Sequence, residues 1–204
     1  MHNKQEKFWK GKFGDFYIKR NSKKSQILSN IKFFKKILKN KKSINSFLEL
    51  GCNVGLNLRA LYKINKKYEL TGVDINQKSI QILKKWGKAN AYVSNVGTLK
   101  INQKFDLTFT KGVLIHINPK ELKKIYNKLY NYSRKYILIA EYYSPKPVNI
   151  TYRGEKNKLF KRDFAGEMLK IYKNLSLVSY GFNYHRDLEI PQDDINWFLL
   201  KKNK

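Results

Sequence analysis

The chain has 204 residues, enough for one domain with a sizeable core but cramped for two. Apolar residues make up 42% of it, which excludes a disordered chain. The single cysteine, Cys52, excludes an internal disulfide or a cysteine-based metal site, and no metal is expected.

Basic residues outnumber acidic ones 43 to 15, for a net charge of +28. Such a charge invites an anionic partner. The lysines, however, sit on the polar faces of periodic segments and form no tail. The start, MHNKQEKFWKGKF, lacks an apolar run of signal-peptide length. No apolar run approaches the roughly 20 residues of a membrane span. A cytoplasmic protein without membrane contact is the expectation.

The first periodic segment is 25–39, where Ile27, Leu28, Ile31, Phe34 and Leu38 recur at helical spacing. A strand, SFLELG, follows, then a helix over 55–65 and a second strand, YELTGVDI. Asn76 caps a helix carrying Ile80, Leu83 and Trp86. AYVSNV is a short third strand, and a buried fourth runs from Phe105 to Thr110. Asn118-Pro119-Lys120-Glu121 is a helix start, with Asn as cap, Pro at the first helical position and an acid three residues after the cap. That helix buries Leu122, Ile125, Tyr126 and Leu129. KYILIAEYY is a fifth strand. A looser stretch over 144–160 precedes a helix at 163–173. Strands at 175–184 and 194–201 close the chain with no helix between them, so they pair as an antiparallel hairpin.

Alternating strands and helices imply an α/β fold: one doubly wound, mostly parallel sheet with helices on both faces. The final hairpin makes it seven-stranded, with an antiparallel last strand beside the fifth. We expect one domain, with residues 1–40 as a helical cap over the site and 41–204 as the core.

Such a sheet binds ligands at the carboxyl ends of its strands. FLELGCNVGLNL places Glu49, Gly51, Asn53 and Gly55 there, directly after the first strand. The pattern E-x-G-x-N-x-G is neither the dinucleotide G-x-G-x-x-G nor a P-loop, so a pyrophosphate is not its natural ligand. Asp74, with Ile75 beside it, ends the second strand, where a carboxylate accepts hydrogen bonds from both ribose hydroxyls of an adenosine. Ser94 and Asn95 end the third strand. Together these point to S-adenosyl-L-methionine (SAM).

Here the sequence resembles the Rossmann-like (class I) SAM-dependent methyltransferases. That resemblance implies Glu49, Gly51, Asn53, Gly55, Asp74, Ile75, Ser94 and Asn95 as cofactor residues. Longer blocks resemble one branch, the methylases associated with pseudaminic acid biosynthesis. They are FWKGKFGDFYIKRN (8–21), FTKGVLIHINP (109–119), EYYSPKPVNITYRG (141–154), LFKRDFAGEML (159–169) and DDINWFLL (193–200). The branch implies a small anionic sugar as acceptor, a nonulosonic acid of pseudaminic or legionaminic type or its precursor.

Within those blocks Tyr17, Arg20 and Asn21 are expected to fold over the cofactor, with Arg20 on the methionine carboxylate. Lys111 is a further cofactor residue. Trp9, Tyr142, Tyr143, Arg153, Lys161 and Arg162 are expected to meet the substrate. An acceptor hydroxyl needs a base. His116 is the first candidate, Glu141 the second and His185 a distant third. Rival readings are a methyltransferase of another carboxylate-bearing metabolite, an RNA methyltransferase, and a SAM-binding scaffold. Base N-methylases carry a [DNS]-P-P-[YF] run after the fourth strand, and this chain has FTKGV, so nucleic acid is not the expected partner.

Overall fold

The computed structural model describes residues 4–20, 24–41, 43–152, 154–189 and 191–203. Seven strands form one sheet: β1 (Ser46–Leu50), β2 (Glu69–Asp74), β3 (Asn90–Val93), β4 (Phe105–Lys111), β5 (Ser133–Glu141), β8 (Leu175–Asn183) and β9 (Ile195–Lys202). Their order is β3-β2-β1-β4-β5-β9-β8. The first five are parallel, and β9 enters antiparallel between β5 and β8, as the terminal hairpin predicts. The order reverses beside β1, which puts the switch point at the carboxyl ends of β1 and β4.

The central strands have near-continuous apolar sequences because both faces are covered. Every residue of β1 is buried. One face packs Phe33, Phe34 and Ile37 of α3 (Lys24–Leu38) with Leu58 and Leu61 of α4 (Leu56–Ile64) and Leu83 of α5 (Gln77–Trp86). The other packs Leu122, Ile125, Tyr126 and Leu129 of α6 (Leu122–Tyr132) with Met168 of α7 (Phe164–Ile171).

The helix starts are where cap chemistry puts them. Asn76 accepts from Ser79 N, and Asp163 accepts from Gly166 N. At Asn118 the chain first makes a 3₁₀ turn, Pro119–Glu121, and α6 follows it.

Two N-terminal helices, α1 (Lys4–Lys10) and α2 (Lys12–Arg20), dock on the sheet's carboxyl edge. Glu6 accepts from Asn95 Nδ2 at 2.7 Å, and Asp15 accepts from Asn76 Nδ2 at 3.0 Å. The stretch expected to be loose instead holds an antiparallel hairpin, β6 (Val148–Tyr152) and β7 (Glu155–Lys161). It packs against the turn Leu114–His116 that follows β4.

Candidate active site

Strand β1 delivers the glycine turn to the switch point. Gly51, Asn53 and Gly55 all have positive φ, at 80°, 48° and 77°. Asparagine tolerates this region better than other side chains do. Its side chain is fixed by Ser79 Oγ, which donates to Asn53 Oδ1 at 2.9 Å. The turn hangs from β2, because Gly51 N–H and Cys52 N–H both donate to Val73 O. It is then tied to Asp74, whose carboxylate accepts from Asn53 N at 2.7 Å and from Asn76 N at 2.8 Å.

Two cavities flank this turn. The first is walled by Asp74, Ile75, Asn76, Asn95, Val96 and Gly97 from the ends of β2 and β3, and by Trp9, Tyr17 and His116 above. The second is walled by Glu49, Asn57 and Lys111 beneath, by Gln26, Ser29 and Asn30 of α3, and by His185, Gln192 and Asp193 of the β8–β9 connection. Tyr17, Gly51, Asn53, Gly112 and Val113 border both, so the two meet over the turn.

Burial sets the electrostatics of the second cavity. Glu49 is buried, and one carboxylate oxygen accepts from Asn57 Nδ2 at 2.6 Å. The other, Oε2, is buried without a hydrogen-bond partner among the described residues. Desolvation raises the Glu49 pKa to about 8, against the pull of Asn57 and Lys111. Desolvation lowers the pKa of Lys111, which feels Asp193, Glu49 and Glu141. The Lys111 ammonium lies 5.7 Å from the centre of the Phe33 ring.

A carboxyl whose folded pKa exceeds its unfolded value stabilises the fold most below the unfolded pKa. That stabilisation is lost as pH rises through the folded pKa. For Glu49 the window runs from the ordinary 4.5 to about 8. Wild type should therefore lose stability relative to Glu49→Gln across that window. Thermal midpoints of both proteins, measured without ligand, test this. A constant difference between pH 5 and 9 would refute it.

Several expected site residues line the cavities: Trp9, Tyr17, Glu49, Gly51, Asn53, Asp74, Ile75, Asn95, Lys111 and His116. Others are placed differently. Gly55 lines neither cavity; its hydrogen faces Leu83, where a Cβ would stand 2.5 Å from Cδ1. It shapes the turn from behind. Ser94 donates to Asn95 O and leaves the wall to Asn95.

Glu141, the second candidate base, is buried and accepts from Val113 N and Ile115 N. Its carboxylate braces the turn after β4. Burial still raises its pKa to about 7. Arg162 is paired with Glu167 at 2.7 Å, and Glu167 also accepts from Tyr126 OH. This pair anchors the start of α7.

Tyr142 and Tyr143 follow β5 outside both cavity walls. Tyr143 is exposed beside Phe198. Tyr142 carries the Lys161 ammonium 5.5 Å from its ring centre and stands within electrostatic reach of Tyr17, Asp193 and Asp194. Asn21 and Arg153 lie outside the described residues, as does the side chain of Arg20.

His116 is buried between Trp9 and Tyr152, at ring-centre distances of 4.6 and 5.0 Å. Its Nδ1 is 2.8 Å from Lys158 O, so the proton sits there and donates to that carbonyl. Burial lowers its pKa to about 4. His185, exposed at the rim of the second cavity, pairs with Asp194.

Sequence reading missed the α3 contribution. Ser29 and Asn30 are buried polar residues on a helix otherwise divided between apolar and lysine positions. That anomaly was the available signal.

Residues 47–135 match the family model described as a methyltransferase domain. The matched segment runs from β1 to the start of β5 and is similar to a methyltransferase domain. No curated protein matches the sequence. Among solved structures the chain is similar to magnesium protoporphyrin IX methyltransferase from Synechocystis PCC 6803 with bound SAM. That protein is 12% identical, with 99% of each chain covered and a TM-score of 0.70. It is also similar to a SAM-dependent methyltransferase from Clostridium acetobutylicum: 15% identity, 94% of this chain and 98% of that one, TM-score 0.65. A third is 1,6-didemethyltoxoflavin-N1-methyltransferase from Burkholderia thailandensis, bound to 1,6-didemethyltoxoflavin and S-adenosylhomocysteine (SAH): 13% identity, 94% and 84% coverage, TM-score 0.68. At these identities the likeness is one of fold, and the fold is that of SAM-dependent methyltransferases.

Among the described residues no helix is long and apolar enough to cross a membrane.

Proposed function

We propose that this methyltransferase moves the methyl group of SAM to an oxygen or nitrogen of a small sugar acid, a nonulosonic acid or its precursor. SAM is the methyl donor and SAH the product. The observation that carries this reading is the pair of cavities meeting over the β1 turn, one walled by Asp74, Ile75 and Asn95 and the other lined by amides, hydroxyls and charges.

Asp74 takes the ribose hydroxyls, and Ile75, Asn95 and Val96 face the base. In the second cavity the unpartnered Glu49 Oε2 receives the α-ammonium, and Lys111 faces the carboxylate. The sulfonium then falls where the cavities share Gly51 and Gly112. Helices α1 and α2 act as the cap, over a core that includes α3. Trp9 and Tyr17 close the site from above.

Methyl transfer from sulfur is an in-line displacement that needs alignment and exclusion of water. Positive charge on sulfur disappears as it proceeds. Gln26, Ser29, Asn30, Asn57 and Gln192 offer a hydroxyl-rich acceptor many partners. Lys161, close to the same rim, suits its carboxylate. The sugar-acid identity rests on the sequence blocks shared with the pseudaminic acid branch.

The test is incubation with methyl-labelled SAM and separate pools of nonulosonates, their CMP-activated forms and total RNA. Label in a sugar is expected. Label confined to RNA would overturn the acceptor and make the +28 charge decisive.

A further inference from the structure

Resting on the methyl-transfer reading, we propose that His185 is the base that takes the acceptor's proton, with Asp194 as its positioning residue. His185 Nδ1 lies 2.9 Å and 3.0 Å from the two oxygens of Asp194. The Asp194 carboxylate also accepts from the His185 backbone N–H at 2.9 Å. This double hold puts the ring proton on Nδ1 and leaves the Nε2 lone pair open. A carboxylate that orients an imidazole in this way is the arrangement used by catalytic triads.

Position makes the same case independently. His185 lines the second cavity, which also contains Gly51, Gly112, Glu49 and Lys111. The rim is held in register, since Gln192 donates to Asn30 Oδ1 on α3 and accepts from Asn183. Lys32 of α3 donates to Glu189 O in the same connection. Charged groups around the pair are Asp193 and Lys111 within the cavity and Lys161 from β7.

His116 is a poorer candidate on geometry. It lines the first cavity, on the side of Asn95 and Gly97, and is sandwiched between two aromatic rings.

The step balances. The acceptor O–H proton passes to His185 Nε2 as the oxygen forms its bond to the methyl carbon. The carbon–sulfur bond breaks, and its electron pair stays on sulfur to give neutral SAH. The imidazolium then returns its proton to water at the exposed rim. A hydroxyl acceptor is implied, because a free amine would carry its own lone pair to the methyl group.

The test uses the full chain and its variants His185→Gln, His185→Gly and Asp194→Asn. SAH titration by calorimetry should give affinities within threefold of wild type for all three. Label transfer into the nonulosonate pool should fall at least 100-fold in His185→Gln and roughly tenfold in Asp194→Asn. Added imidazole should restore part of the rate to His185→Gly, which a purely structural role would not allow. Unchanged transfer in His185→Gln overturns the assignment. Nitrogen-15 NMR of the neutral His185 ring reads its tautomer directly and needs no acceptor. An Nδ1–H tautomer supports the proposal, and an Nε2–H tautomer overturns it. Wild type that binds SAH but labels no sugar overturns the sugar reading alone, and the tautomer then decides for His185.

Discussion

Replacing Asp74 with alanine should lower the affinity for SAH at least 100-fold. On the proposed reading the half-buried Asp74 carboxylate would accept two charge-assisted hydrogen bonds from the ribose hydroxyls, each worth about 1.5–3 kcal/mol. The same carboxylate holds the turn, through Asn53 N–H at 2.7 Å and Asn76 N–H at 2.8 Å. Alanine therefore removes the ribose contact and frees two backbone donors on the cavity wall. Asp74→Asn keeps one acceptor oxygen, so it retains one of the two turn bonds and sets its NH2 against the other backbone donor. The asparagine variant should melt between wild type and the alanine variant and still lose most SAH affinity. Calorimetric titration with SAH, beside thermal melts, measures both. An affinity within threefold of wild type for Asp74→Ala would remove Asp74 from the cofactor site.

The sheet was legible because its signals are strong and redundant. Buried parallel strands are continuous apolar runs, and SFLEL and FDLTFT announce them without periodicity. Between them the spacing changes to helical. The last two strands lack a helix between them, and that alone implies antiparallel pairing. The β6–β7 hairpin was not legible by the same rules. Three of the five residues of β6 are exposed, so burial imposes no alternation for a reader to find. Its turn at Gly154, with φ 83°, was the one available sign.

The cavity wall was legible where a backbone need fixes the residue type, at Gly51, Asn53 and Asp74. Asn76 was readable only as a helix cap. It does cap Ser79 N, and it also lines the first cavity and reaches Asp15. One side chain with three partners in space shows one partner in sequence. The proposed base was harder for a related reason. His116 is close in sequence to the end of β4, but tertiary packing turned it between Trp9 and Tyr152. His185 gains its partner only because the β8–β9 connection folds Asp194 back onto it. Charge shows only part of a residue's surroundings in the same way. Arg162 reads as a surface cation for an acidic ligand, while the fold brings Glu167 to 2.7 Å and uses the pair to seat a helix.

Gly51→Ala should destabilise the protein by about 2–5 kcal/mol, from two separable causes. The first is conformational: Gly51 has φ 80°, where a Cβ meets the following carbonyl at a cost of about 1–2 kcal/mol. The second is steric. A Cβ built on Gly51 would stand 2.5 Å from Val113 Cγ2 and 2.7 Å from Cγ1. Val113 is held against moving away, because its N–H donates to the buried Glu141 carboxylate at 3.1 Å. The strain would be shared with the bonds from Gly51 N–H and Cys52 N–H to Val73 O, and these set the height of the turn against β2. SAH affinity should fall with stability, since both cavities share this residue. Adding Val113→Ala should relieve the steric part and leave the conformational part, recovering roughly half of the loss. Denaturant melts of the two single variants and the double variant measure the division. Full recovery would mean that positive φ costs nothing here. No recovery would mean that Val113 does not press on the turn, and the junction of the two cavities would then be looser than the packing of Val113 over Gly51 implies.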